Sequence, residues 1–484
     1  MSLSIAFDNS YAQELSGLYT PWQGQDWPDP QLVVLNSALA TALGLDASGL
    51  ESPEGVGLLA GHALPDGARP LAQAYAGHQF GGFSPQLGDG RALLVGEVID
   101  PQGARWDIHL KGSGRTPFAR GGDGRAVLGP VLREYLVSEA MAALGVPTTR
   151  ALAACTTGDR VLRQFGPEPG AVLARIGASH LRVGTFQFFA ARGERDKLRL
   201  LLDYAIARHD PDLTGADHAA ALFLERVGQR QARLVAQWMG LGFVHGVMNT
   251  DNTTISGETI DYGPCAFMEA YDPATVFSSI DRMGRYAYGN QPAIVFWNLA
   301  RLAEALLPLI DPLEDRAIAR ASEVIDRVQT TYRAEWAAVF ARKLGLDAPD
   351  PALIADMHQL WDGQRVDFTS FFQALPAAVL GDSTALLAMF DTPEAVAPWL
   401  ERYRAAIADP QAAIAQMRAV NPLYIPRNHL VEEALQAARF QGDMGPFHAL
   451  LARVQAPFDP VAGMERYASP APADAPAIVT YCGT

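Results

Sequence analysis

Apolar positions fall into two regimes along the chain. Ala92–Ile99 (Ala-Leu-Leu-Val-Gly-Glu-Val-Ile) and Trp106–Lys111 (Trp-Asp-Ile-His-Leu-Lys) are short, β-prone and partly alternating, and Pro101-Gln-Gly103 separates them. That pattern predicts a hairpin. Leu128 to Leu144 has helical spacing and runs into Gly145-Val-Pro147, a stop signal. Arg160–Phe165 and Ala171–Ile176 read as two further strands, so a small sheet with one inserted helix fills about 90–177. Beyond it the spacing turns helical at Leu198–Arg208, Ala219–Met239 and Ala293–Leu309, with a loop-rich stretch over 244–292. Residues 1–70 read as loops and short helices, with helical spacing across Pro30–Leu45. The stretch 310–465 is Ala-rich and amphipathic, and a Pro/Ala-rich tail, expected to be mobile, starts at Ser469. Strands first and helices afterwards predict an α+β arrangement with a small β lobe and a large α lobe.

Length and charge narrow the function classes. The 484 residues are enough for about three domain-equivalents. A net charge of -15 repels phosphate backbones, so nucleic acid is not an expected partner. The N-terminus lacks a basic and then apolar leader, and no run of about 18 uncharged apolar residues is present. No membrane association is expected, and a cytoplasmic location is. Three cysteines, Cys155, Cys265 and Cys482, are too few for a disulfide scaffold and match no zinc spacing.

The chemistry-bearing residues recur in a meaningful order. Gln86-Leu-Gly88-Asp89-Gly90-Arg91 precedes the hairpin, and its glycines allow backbone N–H groups close to phosphate oxygens. A plain tight turn is the alternative. Lys111 ends the second hairpin strand, and Glu134 lies on the following helix, with Glu139 as its rival. Glycine loop, strand lysine and helix glutamate is the order of the kinase phosphate site. His245-Gly-Val-Met-Asn-Thr-Asp-Asn252 then places an asparagine seven positions after a histidine, as in the kinase catalytic loop. Thr253–Ser256 and Thr259–Asp261 read as two short strands around Gly257, leading into Asp261-Tyr-Gly263. Asn252 and Asp261 offer hard oxygen ligands suited to Mg²⁺.

The same register lacks one part. Where the kinase loop has its catalytic aspartate, two positions after the histidine, this chain has Val247, which cannot accept a proton. Asp251 is the nearby carboxylate able to take over, and its displacement points to attack on a different phosphorus atom. Arg91, Arg120, Arg125, Arg175 and Arg182 supply more guanidinium forks than phosphoryl transfer needs. Salt bridges within an acidic protein are the alternative use for them.

With these segments in hand, the chain resembles the selenoprotein O (SelO, YdiU) family of protein adenylyltransferases. The resemblance rests on Tyr75–Phe83, Gln86–Arg91, His109–Phe118, Gly122–Ala126, Ser179–Phe186, His245–Asn252, Arg285–Pro292 and Asn421–His429. It implies a protein-kinase-like two-lobed fold that holds ATP inverted, burying the terminal phosphate and presenting the α-phosphate. AMP then passes to Ser, Thr or Tyr hydroxyls of protein substrates and pyrophosphate leaves, and some bacterial members are described as transferring UMP from UTP. By resemblance the nucleotide contacts fall on Gly88, Gly90, Arg91, Lys111, Asp123, Gly124, Arg175, Arg182 and Asp261. The Mg²⁺ (or Mn²⁺) ligands fall on Asn252 and Asp261, the proton acceptor on Asp251, and the partner of Lys111 on Glu134. The family's redox switch would pair Cys265 with Cys482, and redox proteins are among the substrates it suggests.

The expected organisation is an N-terminal extension (1–70), a β-rich lobe (71–177), a helical lobe with the catalytic loop and metal motif (178–310), a helical C-terminal region (311–468) and a tail (469–484). A conventional protein kinase and a nucleotide-binding pseudokinase are the competing readings. Val247 argues against the first, and the complete set Lys111, Glu134, Asn252 and Asp261 argues against the second.

Overall fold

The computed structural model describes the chain apart from residues 1–2, 165, 473–474, 476–477 and 482–484. Twelve strands are defined among the described residues: β1 (Tyr19–Pro21), β2 (Gln31–Leu35), β3 (Leu71–Gln73), β4 (Gly77–Gln79), β5 (Gly82–Ser84), β6 (Ala92–Ile99), β7 (Arg105–Lys111), β8 (Ala126–Val127), β9 (Arg150–Arg163), β10 (Gly166–Gly177), β11 (Phe243–Val244) and β12 (Ala266–Phe267). An eight-stranded antiparallel sheet runs β1-β3-β6-β7-β10-β9-β2, with β8 paired beside β10. The fold is α+β.

The predicted hairpin is β6–β7. Its register pairs Ala92 with Lys111 and Ile99 with Arg105. One face of the sheet (Leu93, Val95, Ile108, Leu110) packs on short N-terminal helices through Leu39, Leu50 and Leu59. The other face packs on the helix Leu128–Ala143 through Leu132, Tyr135 and Leu136. Leu430 and Phe447, from two C-terminal helices, join that second core, and Arg133–Glu432 (3.2 Å) and Arg439–Glu168 (2.6 Å) brace the contact.

Two local expectations fail. Pro30–Leu45 is not one helix, because Gln31–Leu35 forms strand β2 against β9 and only Ser37–Ala42 is helical. The Leu-Val-Val-Leu run is β-branched at its centre, and Asn36 Oδ1 then accepts from Leu39 N (3.1 Å), capping the helix there. Thr253–Ser256 and Thr259–Asp261 do not form a paired hairpin. Thr254 bridges to Arg182 and Thr259 to Thr148, so the loop is clamped between two other segments.

Helices Ala219–Leu241, Gln291–Ile310 and Glu314–Leu344 form the helical half. The segment Tyr288–Ile310 is long and apolar enough to cross a membrane. Its Leu299, Leu302 and Leu306 are fully buried against Leu224, Val227 and Val328, so core packing accounts for its hydropathy.

Lys343, near the end of Glu314–Leu344, is buried without a carboxylate partner among the described residues. Its Nζ donates to Asn421 Oδ1 (2.8 Å) and lies 4.0 Å from the Phe372 ring centroid. Burial pulls its pKa down to about 7. Between that value and the ordinary lysine range the unfolded chain binds the extra proton, so stability rises with pH across this window. Denaturant unfolding from pH 7 to 10 is expected to show a gain approaching roughly 1 kcal/mol per pH unit that Lys343→Met lacks. Parallel pH dependences of the two proteins contradict this.

Candidate active site

The sheet edge and the catalytic loop face each other across a cleft of about 590 Å³. Its walls include Gly88, Gly90, Arg91, Lys111, Asp123, Gly124, Arg175, Arg182, Asp251, Asn252 and Asp261, so residues far apart in sequence converge. Glu134 stands immediately behind Lys111. A larger cavity of about 800 Å³ is lined by Tyr19, Trp22, Gln25, Arg69 and Arg115, and no described carboxylate, histidine or cysteine lines it.

Strand register builds the cationic wall. Lys111 is the last residue of β7, and Arg175 on β10 lies opposite His109. Lys111 Nζ donates to Glu134 Oε2 (2.6 Å) and also contacts Asp261 Oδ1. Arg175 Nη1 reaches Glu134 Oε1 at 3.2 Å and Asp261 Oδ1 at 3.6 Å. The rival glutamate is occupied elsewhere: Glu139 accepts from Arg150 Nε (2.8 Å) and Asn36 Nδ2 (2.7 Å). Burial opposes ionisation of Asp261, but Lys111, Arg175 and Arg91 outweigh it and hold the carboxyl well below the usual range. Asp261 has φ of 66°, a left-handed conformation uncommon for a residue with a side chain. It is the sort of backbone outlier that concentrates at functional sites.

The catalytic loop is anchored from within. His245 donates through Nε2 to Ile260 O (2.8 Å) and accepts from Val247 N at Nδ1 (3.3 Å), which fixes its tautomer. Asn252 Nδ2 donates to Val247 O (3.1 Å), leaving Oδ1 as an acceptor. Val247 is itself buried and contributes only its backbone. Asp251 is pushed up to about 6, first by burial. Its Oδ2 accepts from Gln79 Nε2 (3.1 Å), and its Oδ1 has no partner. A carboxylate with spare acceptor capacity and a pKa near neutrality suits proton abstraction.

Arg182 approaches from the start of helix Val183–Ala190. Nη1 donates to Asp251 O (3.1 Å), the guanidinium lies 4.3 Å over the Tyr75 ring, and Nη2 is buried without a partner. A buried guanidinium N–H left open is costly unless a ligand meets it. Of the other expected phosphate binders, Arg125 is tied to Asp159 and stacks 5.2 Å from the Trp27 ring, so the salt-bridge alternative holds for it. Asp123 pairs with Arg163 (2.6 Å) at the rim. Gly88 has φ of 80°, and a Cβ there would come 2.3 Å from the Phe118 ring. Only glycine fits that turn, as the tight-turn alternative also requires.

Asn252 and Asp261 both line the cleft and offer hard oxygen donors. Among the described residues no group of three or more His, Cys, Asp or Glu could hold a metal. A two-donor site fits Mg²⁺, which keeps several waters and shares substrate phosphates, better than a caged ion.

The expected residue list omits the residues behind this wall. His109 Nδ1 accepts from Arg175 Nη2 (3.0 Å), and Nε2 lies 3.3 Å from Asp89 Oδ2. Its ring stacks 4.0 Å from His180, which bonds Asp107 (2.9 Å). Because arginine only donates, Nδ1 must be the bare nitrogen and Nε2 carries the proton toward Asp89. His109 therefore ties the arginine to the glycine loop. The signal was available, since His109 and Lys111 share one face of β7 by strand alternation. Cys265 lies under the site, fully buried, its thiol donating to Tyr262 O (3.3 Å) and pushed up to about 12 by burial. Cys482 lies outside the described residues.

The family described as protein adenylyltransferase SelO matches residues 1–455. A relative from Cereibacter sphaeroides (strain KD131 / KCTC 12085) named protein nucleotidyltransferase YdiU is 57% identical over 486 residues, covering 100% of both chains. Proteins of the same name are 54% identical in Mycobacterium sp. (strain KMS), covering 99% of this chain and 100% of the relative, and 53% identical in Sphingopyxis alaskensis, covering 100% of both.

Proposed function

Because the chain belongs to the SelO family of protein adenylyltransferases and is a protein nucleotidyltransferase, we propose that it transfers AMP from ATP to Ser, Thr or Tyr hydroxyls of proteins and releases pyrophosphate. The observation that carries this is one cleft in which Lys111, held from behind by Glu134, Asn252 and Asp261 keep the kinase order while Val247 replaces the base and Asp251 also lines the wall. The β-rich segment 71–177 and the helical segment 178–310 are read as the two lobes of a kinase-like fold with ATP inverted between them. UTP is a second nucleotide to be compared with ATP.

Each residue has a stated task. Arg175 and Arg182 anchor the buried end of the triphosphate and stabilise the charge that departs with pyrophosphate. Lys111, oriented by Glu134, binds nonbridging phosphate oxygens. Asn252 and Asp261 would hold Mg²⁺ or Mn²⁺, which would neutralise phosphate charge as a Lewis acid. Asp251 takes the proton from the acceptor hydroxyl as its oxygen bonds to the α-phosphorus and the bond to pyrophosphate breaks.

Loss of either arginine should therefore weaken nucleotide binding. Arg182→Ala and Arg175→Ala are each expected to raise the Kd for ATP by about tenfold or more, the worth of a charge-assisted hydrogen bond. Isothermal titration checks this. Unchanged affinity in both variants, or an ATP-analogue complex with both guanidinium groups beyond about 6 Å of every phosphate oxygen, contradicts the assignment.

The redox pairing of Cys265 with Cys482 belongs to the same proposal. It is supported by Thr480, whose Oγ1 donates to the carbonyl of Pro264, the neighbour of Cys265, at 2.6 Å. Since Cys265 is buried, the bond requires local opening of the segment after Gly263. Mass mapping after mild oxidation is expected to find a 265–482 cross-link, with activity restored by dithiothreitol. No cross-link, or equal activity in both states, removes the switch.

A further inference from the structure

Two segments of unusual sequence, Tyr75–Phe83 and Arg285–Pro292, enter the site described above only through Tyr75 and Gln79. The fold brings them together at the mouth of the cleft. Strands β4 and β5 form a two-stranded sheet apart from the main one, pairing His78 with Phe83 and Gln79 with Gly82. A hairpin this small is marginal alone, and the catalytic loop holds it. His78 N donates to Thr250 Oγ1 (2.7 Å) and Gln79 Nε2 to Asp251 Oδ2 (3.1 Å). Gly77 lies so close to the proton acceptor that a Cβ would come 2.4 Å from Asp251 Oδ1.

The tip of this hairpin is built against local preference. Phe80 has φ of 52° and Gly81 φ of 85°, a turn that favours Asn-Gly. A phenylalanine there is strained, and the surroundings enforce it. Its N–H lies 3.2 Å from Asn249 Oδ1 and 3.0 Å from the Tyr286 hydroxyl, and its ring lies 5.0 Å from that of Tyr286. The residue is nevertheless 38% exposed. Ile280, 52% exposed on the loop leading to Tyr286, borders the same cleft as Phe80. Phe83 on β5 and Met283 on the second loop are exposed as well. Single exposed apolar residues are ordinary, but a cluster beside a proton acceptor is not. Backbone strain held in place by two polar contacts marks a functional position.

We propose that Phe80 and Ile280 form an apolar lip that docks an extended segment of the protein substrate, seating an apolar side chain next to the hydroxyl-bearing residue. The inference rests on the transfer reading and adds a sequence preference to it. The lip suits one side chain and not a broad interface, because a stable protein–protein contact needs about 1,000 Å² or more. The turn gives no reason for a ring at position 80, where glycine would fit without strain. The lip contacts the loop of Asp251, the residue the acceptor hydroxyl must reach.

The test uses an array of immobilised peptides, each with a single Tyr, Ser or Thr, flanked by Leu and Phe or by Asp and Asn, incubated with full-length enzyme, Mg²⁺ and α-³²P-ATP. Wild type is expected to label apolar-flanked peptides about tenfold more efficiently, the scale of partly burying one side chain. Phe80→Gly relieves the turn, so its melting temperature should be unchanged or higher. It should lose the preference through a higher KM for peptide, with the KM for ATP unaltered. Ile280→Ser should weaken the preference from the opposite loop. Equal labelling of both peptide sets, or a preference that survives Phe80→Gly, overturns the proposal. So does labelling of whole proteins with no labelling of any peptide. No labelling of any acceptor, proteins included, marks failure of the transfer reading itself, and the lip falls with it.

Discussion

Asp261→Ala is expected to reduce AMP transfer by roughly 10³-fold or more, because a metal-held charge is worth several kcal/mol to the transition state. Two functions converge on this carboxylate. In the described structure it neutralises Lys111 and Arg175, which both lie within ion-pair distance. In the proposed reaction it is the one anionic ligand of the metal, since Asn252 offers only a neutral oxygen. Removing it leaves two cations and no anchor for Mg²⁺. Asp261→Asn tests the charge itself, because the amide keeps the shape and loses the charge. Both variants should lose the Mg²⁺-dependent part of ATP binding, read by titration with and without Mg²⁺. Thermal melting guards against simple unfolding, because Arg175 and Lys111 remain paired with Glu134. Full activity of Asp261→Ala with Mg²⁺ contradicts the metal assignment.

Asp251→Ala is expected to lower kcat by about 10²–10⁴-fold, the usual contribution of a general base. The Kd for ATP should change little. The carboxylate faces Gln79 and Gly77, and the arginine nearest it bonds to the backbone carbonyl, which alanine keeps. A fall in kcat without a change in nucleotide affinity is the signature of an interaction made only in the transition state. Normal turnover in Asp251→Ala, alongside a dead variant at another carboxylate, means the base is elsewhere. Equal losses in kcat and ATP affinity mean Asp251 serves the nucleotide and not the proton.

Much of this site was legible because its signals are local. The hairpin, the strand lysine, the helix glutamate and the seven-residue spacing from His245 to Asn252 each depend on a few neighbouring residues. The structure places them on one cleft with small shifts in element ends. What could not be read depends on contacts between distant segments. β2 looked helical because its apolar spacing is ambiguous over five residues, and only pairing with β9 decides it. Thr254 and Thr259 looked like strand residues, yet each bridges to a different segment. Strand alternation puts His109 on the face of Lys111, but its partners Arg175 and Asp89 lie on β10 and the glycine loop, so the link itself is visible only in the fold. The choice between Glu134 and Glu139 required knowing that Asn36 and Arg150 already occupy the second. The left-handed turn at Phe80 runs against sequence preference, so propensity points away from it.

The central claim is that the α-phosphorus, not the γ-phosphorus, is attacked. Parallel incubations of the full-length protein, Mg²⁺ and a protein acceptor with α-³²P-ATP and γ-³²P-ATP test it most directly. Protein-bound label from the α position alone, with labelled pyrophosphate released from the γ-labelled nucleotide, is the predicted result. Protein-bound label from the γ position would show phosphoryl transfer and contradict the account.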